Sequence, residues 1–344
     1  MDKRVPSLDL LRAIAISLVL LLHCQEFVTG LSNTSIYLFS YGWIGVDLFF
    51  VLSGFLIGSQ AFNSKENESS PIIKFLTKRF FRTMPLYYFI LLIYIFIKPL
   101  VGFPFNDNKI KFFFFLQNFF SPKDFVQSWS LCIEEQFYIL FSVIFFKFEL
   151  KKIPSYLWLM PGLFSILVRL FFYQSGIEAN TLPTSAYNYQ FNFFAHLDGI
   201  AWGIFLASTF NTWSKYKNKM NILAVGILLL MITLIYIGPN NLNSKVILSY
   251  QLLAMSFSLI LVGLYDFKKI PFGKVIQYLA TWSYGIYLWN NLTARFISKA
   301  LFAQSNFLKF SIYILVTVLL SAFTYYLIEK PTLKLRNNLL SKIK

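Results

Sequence analysis

Hydrophobic residues occur along the chain in ten long runs separated by short polar segments. A run of about 20 apolar residues forms a helix about 30 Å long, which matches the hydrocarbon core of a bilayer. One further run, KFFFFLQNFF at 111–120, is too short to cross and indicates an interfacial or re-entrant segment. The pattern predicts ten membrane spans, at about 8–27, 41–60, 84–101, 129–148, 156–173, 191–210, 220–238, 246–265, 276–297 and 308–328.

The composition supports this interpretation. The chain is 57% hydrophobic and 20% aromatic, with 13% charged residues and a mean hydropathy of +0.59. A soluble protein cannot bury that much apolar surface, whereas a bundle of membrane helices can. We therefore expect an all-α, polytopic integral membrane helical bundle that forms one domain over residues 1–344. The first run is too long for a signal peptide and lacks a cleavage site, so we expect it to be retained.

The net charge of +16 would indicate a nucleic-acid partner in a soluble chain. Here the basic residues sit in short loops, where membrane orientation explains them better than nucleic acid does. With the amino terminus inside, 21 of the 31 Lys and Arg residues fall on the inner side and 8 on the outer side. This bias predicts that both termini are cytoplasmic. The basic tail after Pro331 is typical of a segment at the membrane surface.

The first span contains two residues that are expensive in hydrocarbon, Arg12 and His23. Eleven helical steps place them on one face and about 16 Å apart along the axis. In the alternative interpretation, Arg12 reaches the near interface and Asp9 is its local partner. Arg169, near the outer end of the fifth span, can also reach its interface in this way.

Orientation assigns the other polar residues to two layers. Asp47 in the second span and Glu134 in the fourth fall in the outer half, the layer of His23. Glu135 follows Glu134 directly, so the two carboxylates point about 100° apart and at most one is expected to face His23. The four glycines of the second span permit close helix approach; they are Gly42, Gly45, Gly54 and Gly58.

Arg79 and Arg82, in KRFFRTMP before the third span, form a basic layer at the cytoplasmic side. Guanidinium groups at helical spacing suit phosphate binding. Ordinary positive-inside anchoring is the alternative.

Four further residues are candidate acceptor contacts: Trp129, His196, Asp198 and Asn290. The two cysteines, Cys24 and Cys132, both lie in predicted spans and indicate neither a disulfide nor a metal framework. No metal-ligand cluster occurs, so no metal is expected. A buried cysteine is inert by default, which argues against Cys24 as a nucleophile.

This layout suits an anionic donor that enters from inside and an acceptor that arrives from outside. A histidine beside a carboxylate is a competent general base for a hydroxyl. Because no activated serine elbow or Schiff-base lysine occurs, direct attack of the hydroxyl on a thioester fits better than a covalent acyl-enzyme. Buried ionisable groups also mark transporters, so a transporter or a flippase for a lipid-linked glycan or small solute is the rival hypothesis. A structural membrane partner would leave His23 and the carboxylates unexplained.

Several motifs together resemble acyltransferase family 3, from Leu8 to Pro331. They are Arg12 and His23 ten residues apart, GWIGVDLFFVLSGFLIG, KRFFRTMP, WSLCIEEQFY, SYGIYLW and IEKP. The resemblance implies a membrane O-acetyltransferase of the bacterial cytoplasmic (inner) membrane, with acetyl-CoA as co-substrate. The acceptor it implies is a hydroxyl of an envelope polysaccharide or glycolipid, such as the O-antigen of lipopolysaccharide, or sometimes a small molecule.

The resemblance also assigns roles by position. It makes His23 the essential histidine, Arg12 the intramembrane arginine, Arg79 and Arg82 the pair that holds the CoA phosphates, and Glu134 the motif glutamate. Combined with the depth argument, this predicts His23 as general base, oriented by Glu134 or Asp47, with Arg12 on the donor side.

Two positions depart from the family pattern. Asn290 stands where a histidine is common, so it cannot carry a proton, and His196 stands where an arginine is common. No further domain follows the tenth span, so we expect the larger members that modify peptidoglycan to be poorer matches.

Overall fold

The computed structural model describes residues 4–28, 39–64, 70–120, 124–174, 191–238 and 246–342. Helices dominate these residues, and no strand occurs among them. Five lysines of the charge count lie outside the described residues: Lys3, Lys65, Lys123, Lys245 and Lys344.

The described residues contain thirteen α-helices, which we number in chain order. They are α1 Pro6–His23, α2 Ile44–Phe62, α3 Pro71–Leu92, α4 Lys109–Phe113, α5 Trp129–Lys147, α6 Met160–Gln174, α7 Asp198–Ser208, α8 Phe210–Trp213, α9 Lys219–Ile237, α10 Val246–Leu264, α11 Gly273–Ala300, α12 Asn306–Thr324 and α13 Lys330–Leu340.

Eight helical segments in the described part of the chain are long and apolar enough to cross a membrane. They confirm the predicted all-α, polytopic membrane architecture. The predicted spans 191–210 and 276–297 do not meet that standard. In the first, α7 has only 11 residues, about 16 Å, because the backbone leaves helical geometry at His196. In the second, α11 has 28 residues but carries many polar side chains.

The chain divides into two compact units. The first unit comprises residues 1–22, 34–63 and 153–281, and the second comprises 23–33, 64–152 and 282–344. Whether they act as one domain stays a prediction.

In the first unit, glycines bring α2 and α7 into backbone contact. A Cβ added at Gly54 would lie 2.2 Å from the Ile200 carbonyl oxygen, and one added at Gly203 would lie 2.3 Å from the Val51 carbonyl oxygen. No side chain fits at such distances without moving a helix. The close approach predicted from the glycines of α2 therefore occurs, and a glycine of α7 matches it.

In the second unit, α3 begins at Pro71 rather than near residue 84, where the third span was predicted to start. A proline favours the first turn of a helix, because its missing N–H has no helical partner there. The basic motif KRFFRTMP is consequently helical. Arg79 and Arg82 lie two to three turns inside α3 instead of in a loop before it.

The short aromatic run at 111–120 is folded against its own unit. Residues 109–113 form α4, and Gln117–Phe119 form one 3-10 turn. The Tyr87 hydroxyl donates to the Phe112 carbonyl at 2.9 Å, and the Gln117 side chain donates to the Ser128 hydroxyl at 2.9 Å. The run is too short to cross a membrane, as predicted, and its position in the interface stays a prediction.

Asp124 closes the loop that carries this run. It forms a buried ion pair with Lys98 and accepts backbone hydrogen bonds from Asn106 at 2.6 Å and Asp107 at 3.1 Å. Burial alone would raise the pKa of Asp124, but these donors outweigh it and hold the pKa below its usual value. The loop is therefore tied electrostatically to the end of the helix that precedes it.

Gly203→Ala should lower the free energy of unfolding by about 1–3 kcal/mol, because its methyl group meets the α2 backbone. The measurement is thermal unfolding of the purified protein in detergent. Gly273→Ala is the control, since nothing lies within 4 Å of its added Cβ. Equal unfolding temperatures for the two variants would contradict the close packing of α2 and α7.

Candidate active site

His23 is the last residue of α1 and belongs to the second unit. Its side chain is half-buried, and the charged group that acts on it is the guanidinium of Arg295 from α11. Three residues further along both segments, the Ser298 hydroxyl donates to the Glu26 carbonyl at 3.0 Å. The end of α1 and this part of α11 therefore run side by side, with His23 opposite Arg295.

From the sequence alone, Arg295 counts only among the eight charges of the outer side and has no role. The signal that could have found it is its place inside the predicted span 276–297, and α11 does continue beyond it to Ala300. A half-buried guanidinium next to an imidazole is an arrangement that can stabilise a developing oxyanion.

Arg12 lies in the first unit and has the local partner that the alternative interpretation named. Its guanidinium is 3.6 Å from the Asp9 carboxylate, and its side chain is 21% exposed. Asp9 also forms an ion pair with Arg4, which in turn donates to the Thr281 hydroxyl at 2.9 Å. Arg12 is therefore part of a charged cluster at the start of α1, and its role toward a donor stays a prediction.

Asp47 orients an imidazole, and that imidazole belongs to His196. The Asp47 Oδ1 and His196 Nε2 atoms are 2.8 Å apart, and both side chains are almost completely buried in the first unit. The centre of the His196 ring lies 4.1 Å from that of Tyr250, with the two rings tilted by 37°, and 5.2 Å from that of Phe50 in an edge-to-face arrangement. Rings cover it on two sides, so His196 cannot reach an acceptor hydroxyl without rearrangement.

Arg169 lies beside this pair and does not snorkel to the membrane interface. Its side chain is fully buried and forms a bidentate ion pair with Asp198 at 2.7 and 2.9 Å. It also donates to the carbonyl oxygens of Ala195 at 2.5 Å and Ile247 at 3.0 Å. These four hydrogen bonds use four of the five N–H donors of the guanidinium, and Asp198 supplies the counter-charge that a buried arginine needs. The expectation that Arg169 reaches the interface is wrong.

These contacts explain why the sixth span is broken. The carbonyls freed at Phe193–Ala195 need donors inside an apolar unit, and Arg169 supplies one of them. Asp198 begins α7 and is held by the same guanidinium. His196 and Asp198, predicted as acceptor contacts, are therefore parts of a buried network that shapes the first unit.

Glu134 and Glu135 lie beside α3 in the second unit. The Thr83 hydroxyl donates to Glu135 at 2.6 Å, and the Tyr138 hydroxyl donates to Glu134 at 3.1 Å. The Arg79 guanidinium lies 5.4 Å from the centre of the Tyr138 ring, and both carboxylates attract it. The two carboxylates are therefore near Arg79, and the prediction that basic and acidic residues occupy separate layers is wrong here. The predicted layers are wrong because α3 begins at an earlier residue than predicted, so that Arg79 lies within the helix instead of in a loop before it.

Two predicted acceptor contacts lie deep in the second unit. Trp129 begins α5 and is 5% exposed. Asn290 is fully buried and donates to the Tyr287 carbonyl at 2.6 Å, while its Oδ1 atom has no hydrogen-bond partner among the described residues. Buried polar atoms without a partner are rare, and this oxygen is a candidate acceptor in the second unit.

Among the described residues, no three His, Cys, Asp or Glu side chains are grouped so that they could hold a metal ion. Cys24 and Cys132 are both buried and form no disulfide with each other. The candidate groups in the second unit are His23, Arg295, the α3 arginines and the α5 carboxylates.

Comparison with known proteins agrees with the motifs. A sequence model of the family described as an acyltransferase domain matches residues 5–326. The peptidoglycan O-acetyltransferase OatA of Listeria monocytogenes is 26% identical over an alignment of 372 residues, which covers 96% of this chain and 56% of that protein. The O-acetyltransferase OatA of Staphylococcus aureus is 23% identical over 366 residues, which cover 96% of this chain and 57% of that protein.

The chain thus spans about half the length of the curated relatives it matches. The expectation that larger peptidoglycan-modifying proteins match poorly is not supported, since one of them is among these relatives. No solved structure matches the chain.

Asp198→Asn should destabilise the protein by about 3–5 kcal/mol, because it leaves the buried Arg169 charge without a counter-charge. Chemical unfolding in detergent measures the loss. The control is Glu149→Gln, which removes the partner of Lys152 from an ion pair whose two side chains are both 78% exposed. That change should cost about 1 kcal/mol or less. Similar losses in the two variants would show that the Arg169–Asp198 pair is not a structural requirement.

Proposed function

The chain belongs to acyltransferase family 3, and from that membership we propose that it transfers an acetyl group from acetyl-CoA to a hydroxyl of an envelope glycan. The names of its relatives, which are O-acetyltransferases, support the reaction type. The observation that carries the proposal is the half-buried His23 at the end of α1, with a guanidinium beside it.

His23 serves as general base in this proposal. Its imidazole takes the proton of the acceptor hydroxyl while the hydroxyl oxygen attacks the thioester carbonyl carbon. The new C–O bond forms, the C–S bond breaks, and the imidazolium returns its proton to the leaving thiolate. Arg295 donates to the oxyanion that forms on the carbonyl in between. Glu134, in the same unit as His23, stays the candidate carboxylate that stabilises the imidazolium.

The contrast between the two histidines supports His23 over His196. A general base must come within hydrogen-bond reach of the proton that it removes. His196 is 1% exposed and already bonded to Asp47. His23 is half-buried and stands at a helix end, where the chain leaves α1.

The donor is bound through its phosphates by Arg79 and Arg82. Both arginines lie on α3 in the second unit, the unit that also contains His23. Guanidinium groups bind phosphate with charge-assisted, often bidentate, hydrogen bonds. In the proposal, Arg12 is a further contact of acetyl-CoA, because it lies on α1, the helix that ends at His23.

The acceptor is an envelope polysaccharide or glycolipid, such as O-antigen. The name of the Listeria relative gives peptidoglycan as its acceptor. Peptidoglycan is also an envelope glycan with free hydroxyl groups. The proposed location is the bacterial cytoplasmic membrane, with both termini in the cytoplasm, as the Lys and Arg bias indicates. Membership in an acyltransferase family disfavours the transporter or flippase hypothesis.

His23→Ala should lower the acetyl-transfer rate by about 10²–10⁴-fold and leave acetyl-CoA affinity nearly unchanged, because only the base is removed. The assay measures transfer of radioactive acetyl from acetyl-CoA to membrane glycan. His196→Ala, which removes the other imidazole, is the matched control. It should lower the stability of the protein, while the protein that remains folded keeps its acetyl-transfer rate. A folded His196→Ala protein without activity, next to an active His23→Ala protein, would reverse the assignment.

Reporter fusions should resolve whether α7 crosses the membrane. In the ten-span prediction, fusions at Asn180, Lys217 and Asn241 lie outside, inside and outside. The expected alternation follows because the break at His196 shortens the helix without removing the crossing. If the fusions at Asn180 and Lys217 report the same side, α7 does not cross the membrane. Every position before it then lies on the opposite side from the one predicted.

A further inference from the structure

A second helix brings an arginine to the basic pair of α3. Glu329, Thr332 and Arg336 are spaced i, i+3 and i+7, so they share one face at the junction of α12 and α13. The Thr332 hydroxyl lies 3.5 Å from the Phe81 carbonyl oxygen of α3. The next residue of α3, Arg82, is close enough to Glu329 and Arg336 for their charges to interact. This face of α13 therefore packs along α3 at Arg82.

The charges on this face do not balance. Arg82 is near two like charges, Arg336 of α13 and Arg79 one turn earlier on α3, and Glu329 is a carboxylate near it. Among the residues that the structure describes, neither Arg82 nor Arg336 forms an ion pair. Arg336 instead donates to the Asn337 side-chain oxygen at 3.0 and 3.2 Å. Like charges held this close are unfavourable unless an anion joins them.

Glu329 supplies a second sign of a ligand. Its side chain is 8% exposed, and one carboxylate oxygen, Oε1, has no hydrogen-bond partner among the described residues. Burying a carboxylate oxygen without a donor is costly. An O–H or N–H group of a ligand between α3 and α13 would satisfy it, and a phosphate would neutralise the guanidinium groups beside it.

We propose that Arg336 and Arg82 together bind a phosphate monoester, which is the 3′-phosphate of the acyl-CoA donor. The inference rests on the proposed function and goes beyond it by adding α13 to the donor site. Arg82 is exposed and Arg336 half-buried, whereas Arg79 lies deeper beside the α5 carboxylates. The outer pair is consequently suited to the polar nucleotide end of the donor. A phosphate monoester carries more negative charge than a diester, which favours a site with two guanidinium groups.

The test compares two donors, acetyl-CoA and 3′-dephospho-acetyl-CoA. The full chain is placed in vesicles of phosphatidylcholine, and calorimetry measures the affinity of wild type, Arg336→Gln and Lys334→Gln. Lys334 is an exposed cation on the same helix, so it controls for the loss of one charge. Wild type and Lys334→Gln should bind acetyl-CoA about 10- to 100-fold more tightly than the dephospho donor. Arg336→Gln should lose that preference and keep its affinity for the dephospho donor.

Other outcomes would overturn the inference. Equal weakening of both donors by Arg336→Gln, with Arg336→Lys no better, would make Arg336 a structural residue. If only phosphatidylglycerol vesicles distinguish Arg336→Gln from wild type, the phosphate belongs to a lipid headgroup. A wild type that binds acetyl-CoA without any preference would refute this site and leave the proposed function intact. A wild type that binds neither donor would refute both.

Discussion

The bidentate ion pair between Arg169 and Asp198 is the interaction on which the first unit depends. A guanidinium that is fully buried in an apolar helical unit needs a counter-charge, since a buried charge without one costs several kcal/mol. Arg169 meets this demand with Asp198 and with two carbonyls, one from the broken turn before α7 and one from α10. The break in the helix and the charge on Arg169 thus stabilise each other. The Asp47–His196 pair is next to this network and is equally buried.

The same constraint separates structural from functional polar groups. Buried oxygens without a partner do not separate the units by themselves, because Asp47 Oδ2 in the first unit is one, as are Glu329 Oε1 and Asn290 Oδ1 in the second, among the described residues. The arginines do differ. Arg169 in the first unit has a buried counter-charge, whereas Arg82 and Arg336 in the second are near each other's like charge. On this ground we assign substrate chemistry to the second unit and scaffolding to the Arg169 network of the first.

Hydrophobic pattern alone predicted the helical class and eight of the spans, because the length of an apolar run is a direct consequence of bilayer thickness. It predicted the glycine contacts of α2, which depend on local sequence. It did not predict the start of α3, since residues 71–83 are polar enough to resemble a loop, although Pro71 is itself a sequence signal for a helix start. That error moved Arg79 out of its real layer and separated it from Glu134 and Glu135.

Pairings between distant residues were also beyond the sequence. The predicted orientation of the spans placed Asp47 and His23 at similar depth, but depth does not determine a partner, and Asp47 bonds His196, 149 residues away. Roles for Glu134 and Arg12 rest on the family resemblance and stay predictions. Arg295 and Arg336 escaped notice because each lies near a helix end among other basic residues, where membrane anchoring explains a single charge well enough.

The two predicted spans that fall short of a full apolar helix carry many of the buried polar side chains. The segment that leads into α7 holds His196, and α7 itself begins with Asp198, while α11 holds Asn290 and Arg295. The two segments fall short for different physical reasons. α11 is long enough to cross a membrane but polar, because a helix that lines a polar site must replace apolar residues with groups that bind or react. α7 is apolar but short, because the backbone break before it, held by Arg169, ends the helix early. The polar helix therefore marks the unit to which we assign substrate chemistry, and the broken one marks the scaffold of the first unit.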